Sequence, residues 1–257
     1  GFSYYVKEVQ APAGYVRNEK DTYSFQFSYT NDEQAKISFS HTFVNDRVSA
    51  AISLNKKDAE TKENKAQGDA SLENAVYGLY ARNDITHPDG KTGVIYKAGS
   101  QIGTLTTDKE GKAVAKNLPL GKYKVVEVQA PDGFVLNSEE QFVTFTYVDD
   151  QTPVIKESLT FKNERQKVDL SVDKIDKETE KPIAGAEFGL YAANDIVNAD
   201  GKIVVEKDTM LERAVSETDG KVAFVKDYPL GSYYAKELKA PAGFVSSDEI
   251  ITFDAKY

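Results

Sequence analysis

Three segments of the chain repeat one another at domain-scale intervals, and this constrains the fold more than any other feature. They are VKEVQAPAGYV (6–16), VVEVQAPDGFV (125–135) and AKELKAPAGFV (235–245), with the central glutamates Glu8, Glu127 and Glu237 spaced 119 and then 110 residues apart. Solenoid repeats recur every 20 to 50 residues, roughly, so a period near 110 belongs to whole domains. Other landmarks keep the same order. LENAVYGLYARNDI (72–85) answers IAGAEFGLYAANDI (183–196), PLGKY (119–123) answers PLGSY (229–233), and TFKNE (160–164) answers TFVND (42–46). Boundaries near Arg47 and Arg165 follow: residues 1–47 read as the C-terminal part of one domain, 48–165 as a complete domain, and 166–257 as a third lacking its last strand. The whole reads as a segment of something longer. Its joints, RVSA and ERQK, are short enough to hold the domains in a stiff row.

The local pattern is strand throughout. Val168, Leu170 and Val172 alternate with Asp169, Ser171 and Asp173, while Ala75, Tyr77 and Leu79 share one parity and Tyr123 and Val125 another. Pro and Gly at APDG and PLG punctuate tight turns, and no segment sustains a helical period. The fold class expected is all-β: tandem antiparallel β-sandwiches. The stretch KENKAQGDAS (62–71), an insertion relative to the third repeat, reads as a solvated loop.

Composition narrows the chemistry. With 32 Lys and Arg against 41 Asp and Glu the formal charge is −9, which argues against a nucleic-acid partner. No cysteine is present, so disulfides, thiol nucleophiles and thiolate metal sites are excluded. The two histidines, His41 and His87, fall in different repeats and supply neither a Ser-His-Asp set nor a His-rich metal site. No apolar run approaches the roughly 18 residues of a membrane span. Asp84, Asp89 and the DKEG turn (108–111) lack calcium-loop spacing, so neither a metal nor another cofactor is expected.

The informative polar residues are those in phase with the apolar faces. Lys56 follows Ile52 and Leu54 at steps of two, as Lys174 follows Leu170 and Val172. Glu127 is in phase with Tyr123 and Val125, Glu8 with Tyr4 and Val6, and Glu237 with Tyr233 and Ala235; Asn163 lies two residues after Phe161, and Asn45 two after Phe43. A lone residue of this kind belongs as readily to a solvated face or to a structural ion pair. Recurrence in separate repeats favours an inward Lys, Glu and Asn in each domain.

The combined pattern, with LxKxD, GAEFGLY, NLPLGKYxVxE, APxGY and TFxNE in that order, resembles the Cna B-type (SpaA-like, prealbumin-like) domains of Gram-positive surface adhesins and pilins, over essentially the whole chain. The resemblance implies a spontaneous isopeptide bond between Lys56 and Asn163 promoted by Glu127. It also implies Lys174 with Glu237 in the third domain and Glu8 with Asn45 in the first, each missing one member that flanking sequence, or a strand from another chain, would supply. Burial is expected to neutralise the amine and to leave an acid that donates to the Asn carbonyl oxygen. Such chemistry turns over once, so no conventional enzyme is expected. The function implied is a rigid stalk on the cell surface, anchored to the wall outside this segment. Its implied partners are neighbouring like domains, other pilin subunits or host extracellular matrix. The alternative is an adhesive head using the hairpin regions 81–101 and 192–209.

Overall fold

The computed structural model describes residues 2–28, 36–68, 70–197 and 201–255. All of its regular elements are strands. The first group is β1 (Ser3–Lys7) and β2 (Thr22–Gln26). The second holds β3 (Ser49–Asp58), β4 (Val76–Ala81), β5 (Ile85–Thr86), β6 (Val94–Tyr96), β7 (Gln101–Thr106), β8 (Lys112–Leu118), β9 (Gly121–Gln129), β10 (Glu140–Phe145) and β11 (Val154–Asn163). The third holds β12 (Leu170–Asp173), β13 (Glu187–Ala192), β14 (Ile196–Val197), β15 (Ile203–Val205), β16 (Met210–Val215), β17 (Lys221–Phe224), β18 (Gly231–Lys239) and β19 (Ile250–Ala255).

In the second group a four-stranded sheet, ordered β10-β9-β4-β7, faces a three-stranded sheet, β11-β3-β8. The alternation read from the sequence fills the space between them: Ile52, Leu54, Tyr77, Leu79, Tyr123, Val125, Phe145 and Phe161 form one buried cluster. The third group repeats the larger sheet as β16-β13-β18-β19 but sets only β12-β17 opposite it, around Leu190, Val222, Phe224 and Tyr233. In the first group β1 and β2 carry an aromatic face in which Phe25 stacks on Phe39 and Tyr23 on His41, with ring centroids 4.9 and 4.8 Å apart.

One pairing departs from the antiparallel expectation. β3 and β11 run side by side in parallel over ten residues, Val154 opposite Ser49 through Asn163 opposite Asp58. Parallel neighbours cannot be joined by a tight turn, and here the rest of the second group lies between them. The chain therefore enters along β3 and leaves along β11 in the same direction.

The loop at 62–71 also differs from expectation. Ala66 and Ala70 are buried with Leu72 and Phe134 in a small separate core, and Gly68 approaches Pro229 so closely that a Cβ there would lie 2.5 Å from the proline Cβ. Its alanines supply the apolar contacts that its polar composition hides. Beside it, Arg165 is buried, pairing with Asp227 at 2.6 Å and donating to the Tyr228 carbonyl at 3.3 Å, while Lys167 pairs with Glu60 at 2.8 Å. At the earlier joint the Arg17 and Ala11 amides donate to Asp150, at 2.8 and 2.9 Å.

Two glycines hold the lysine strands in place. The Lys56 amide donates to the Gly111 carbonyl at 2.6 Å, and the Lys174 amide to that of Gly220 at 2.8 Å. Gly111 has φ +69°, and a Cβ there would meet the Lys56 carbonyl oxygen at 2.8 Å. Gly111→Ala is therefore expected to cost about 1–3 kcal/mol from backbone strain alone, read as a lower urea midpoint with an unchanged slope.

Candidate cross-linking site

The site is built around one carboxylate. β9 presents Glu127 on the face that also carries Tyr123 and Val125, and a bulge ends the regular pairing immediately afterwards: Tyr77 lies opposite Glu127, but Val76 lies opposite Gln129. β18 repeats the irregularity at Glu237, which lies opposite Phe188. The APDG turn then returns the chain through Gly133 at φ +80°, where a side chain would be strained. As a result the Asn137 amide, ten residues beyond the glutamate, donates to Glu127 Oε2 at 2.8 Å. The same contact recurs from Asn18 to Glu8 at 3.2 Å and from Ser247 to Glu237 at 2.7 Å.

The structure brings Lys56, Glu127 and Asn163 together, each at most 2% exposed. Lys56 Nζ lies 2.5 Å from Glu127 Oε1, and Asn163 Nδ2 donates to Oε2 at 2.5 Å. Tyr77 adds a fourth donor, its hydroxyl 3.2 Å from Oε1, and its ring lies 5.7 Å from the ammonium, near enough for cation–π attraction. Burial in this apolar sandwich drives the Lys56 pKa below its ordinary value, against the hydrogen bond and charge of Glu127, which favour the cation. Burial, and then the neighbouring carboxylate, push the Tyr77 hydroxyl far upward, so it stays a neutral phenol.

The amide orientation corrects the expected role of the acid. Glu127 meets the amide nitrogen of Asn163 and not its carbonyl oxygen, because Nδ2 also donates to the Val135 carbonyl at 2.8 Å, a group that can only accept. Oδ1 is left buried with no hydrogen-bond partner. An amide whose oxygen has lost its hydration without replacement is a less comfortable ground state than one in water.

The outer repeats carry parts of the same arrangement. Asn45 Nδ2 donates to Glu8 Oε2 at 2.6 Å and to the Val16 carbonyl at 2.8 Å, matching Asn163 contact for contact. Lys174 Nζ stands 3.1 Å from Glu237 Oε1, yet that oxygen accepts no well-aligned hydrogen bond, and the lysine side chain keeps 17% of its surface exposed. The hydroxyl of Tyr77 has no counterpart there, since Phe188 holds the equivalent register position.

Sequence parity pointed to the three side chains but missed Tyr77, the Asn137 amide and Asp58. Asp58 is fully buried and caps the following turn through the Glu60 and Thr61 amides, at 2.8 and 3.2 Å. The constant ten-residue interval after each glutamate was the available signal for the amide. The acidic turns act locally: Asp84 accepts from the Ala98 amide at 2.8 Å, and Asp108 from that of Lys112 at 2.8 Å. Among the described residues no group of three or more His, Asp or Glu side chains is placed to hold a metal.

Two outcomes follow for Asn163→Ala, which cannot form an amide link. Adding Glu127→Ala is expected to cost a further ~3–5 kcal/mol in urea unfolding, because an ammonium is left buried without its partner. The stability of Asn163→Ala itself is expected to rise with pH. Between the lowered folded pKa of Lys56 and its ordinary value of 10.5 the unfolded state binds more protons. The penalty for burying the cation is thus full below that window and gone above it.

Known proteins agree with this architecture. A family model described as the SpaA prealbumin-like fold domain matches residues 50–160 and again 168–256. The trypsin-resistant surface T6 protein of Streptococcus pyogenes serotype M6 is 35% identical over 71 residues, which is 28% of this chain and 13% of that protein. The Bacillus anthracis TIE protein superposes with a TM-score of 0.60 at 25% identity, covering 99% of this chain and 39% of that one. A streptococcal ancillary pilin aligns over 98% of this chain and 70% of its own at 23% identity, with a TM-score of 0.34. The chain thus spans well under half the length of the first two. Matched over most of its length by two successive copies of the family model, this chain belongs to the SpaA prealbumin-like fold domains.

Proposed function

We propose that this chain is a stretch of a surface stalk of a Gram-positive cell, in which tandem domains are each closed by an intramolecular Lys–Asn isopeptide bond. The observation that carries the reading is the buried Glu127 carboxylate, holding Lys56 on one oxygen and Asn163 on the other. Bond formation then needs little beyond positioning, for which fixed intramolecular groups reach effective molarities on the order of 10⁵ to 10⁸ M. Oε1 takes a proton from Nζ, whose freed lone pair attacks Cγ of Asn163. Glu127 then passes that proton to the departing Nδ2 and takes up the second proton that Nζ sheds as it becomes an amide nitrogen. The Nζ–Cγ bond forms, the Cγ–Nδ2 bond breaks, and ammonia leaves.

The topology makes the link mechanical. β3 and β11 are parallel neighbours, so tension entering at the start of β3 runs to Lys56, crosses to Asn163 and leaves through Arg165. The 106 residues between the two attachment points (57–162) are bypassed. By analogy with a disulfide closing a loop of about 100 residues, the link also stabilises by roughly 4–5 kcal/mol through the unfolded chain. The domains proposed are 48–165, complete, with 1–47 and 166–257 as parts of its neighbours. Glu8 with Asn45, and Lys174 with Glu237, are then members of two further links. The location proposed is extracellular and wall-anchored, in keeping with the surface assignment in the T6 protein's name.

An adhesive role for the hairpins has less support. The β5–β6 hairpin sets Pro88 against Gly14, where a Cβ would lie 2.5 Å from the proline Cβ, so part of this loop is committed to a joint. In the hairpin at 192–209, residues 198–200 lie outside the described residues.

Single-molecule pulling tests the stalk reading. The wild-type 48–165 region is expected to show no extension step corresponding to residues 57–162, and Asn163→Ala is expected to restore it. A full-length step in the wild type would refute the role. Trypsin gives a bulk counterpart: Asn163→Ala is expected to be digested at least tenfold faster, since about 4 kcal/mol of stabilisation is removed.

A further inference from the structure

Tyr77 is a chemically active group that the proposed bond formation leaves without a task. It is fully buried, and its hydroxyl shares Oε1 of Glu127 with the Lys56 ammonium. Its ring lies 4.6 Å from that of Phe161, two residues before Asn163 on β11. The equivalent position in the third repeat is Phe188, so the fold does not require the hydroxyl.

The difficulty it resolves lies in the proton itself. When Nζ hands a proton to Oε1, the new O–H has the neutral amine as its nearest acceptor. A hydrogen bond formed there occupies the lone pair that must attack Asn163. Oε2 offers no easier berth for the proton, since it faces two donors, the Asn137 amide and Asn163 Nδ2. A phenol hydroxyl both donates and accepts. It can donate to Oε1 while Glu127 is ionised and accept from it once Glu127 is neutral.

We propose that Tyr77 is a positioning residue for isopeptide formation: its hydroxyl accepts the hydrogen bond from protonated Glu127 Oε1 and so leaves the Lys56 lone pair free. Its own hydrogen is then released to turn towards Asn163 Oδ1, the buried acceptor that no donor meets. The tyrosine only rotates about its C–O bond; no bond to it is made or broken, and the proton stays on Glu127 until Nδ2 departs. The proposal rests on the isopeptide reading above.

The test is a time course of intact mass for freshly translated full chain, wild type against Tyr77→Phe, at several pH values. Phe188 shows that phenylalanine suits the position. The expected result is linking about tenfold slower in Tyr77→Phe near neutral pH, from loss of one hydrogen bond to the Glu127 carboxyl group. The deficit should narrow as pH rises, because Lys56, whose pKa burial lowers, then enters the reaction already neutral and hands no proton to Oε1. A purely structural role would slow linking by the same factor at every pH, and that result, or equal rates, would overturn the proposal. A wild type that stays at full mass would instead refute the isopeptide reading, and this inference with it.

Discussion

Everything distinctive in the structure depends on one buried carboxylate that crosses the sandwich. Glu127 belongs to the four-stranded sheet, as does Tyr77, while Lys56 and Asn163 belong to the opposite one. Four donors from four separate places in the chain converge on its two oxygens. An ionised group in so dry a setting needs that many partners, and a lysine beside it is held where its charge is least favoured. The same enclosure lowers the Lys56 pKa, as the proposed reaction requires of its amine.

The outer repeats show how far this depends on the last strand. Lys56 is completely buried where β11 runs alongside β3, whereas Lys174, one residue past β12, which pairs only with β17 among the described residues, keeps part of its side chain in water. Glu8 and Asn45 show the converse: the carboxylate–amide contact forms with no lysine ion-paired to Glu8 among the described residues. The glutamate and its returning turn are thus a preformed half-site, and the lysine and asparagine strands complete it from the opposite sheet.

Much of this was legible in the chain. Period-two alternation on β3, β9 and β11 placed Lys56, Glu127 and Asn163 among core residues before any contact was known, since pleat geometry is local. What alternation cannot report is which strands become neighbours, so the parallel β3–β11 pair was not visible in it. The bulge after Glu127, the amide turned by the Val135 carbonyl, and the convergence of Tyr77 on Oε1 all depend on long-range register. The loop at 62–71 misled for a different reason. Its charged residues dominate the composition, while Ala66 and Ala70, too small to register as a hydrophobic pattern, make the buried contacts.

The claim that these three side chains react, and do not merely pair, is tested most directly by the mass of the folded 48–165 region together with tandem fragmentation of its tryptic peptides. The account predicts a chain lighter than its sequence by one ammonia, with a branched peptide joining Lys56 to Asn163, and the full mass restored in Glu127→Ala. A wild-type chain at full mass, whose Lys56 takes up an amine-reactive label once unfolded, would contradict it.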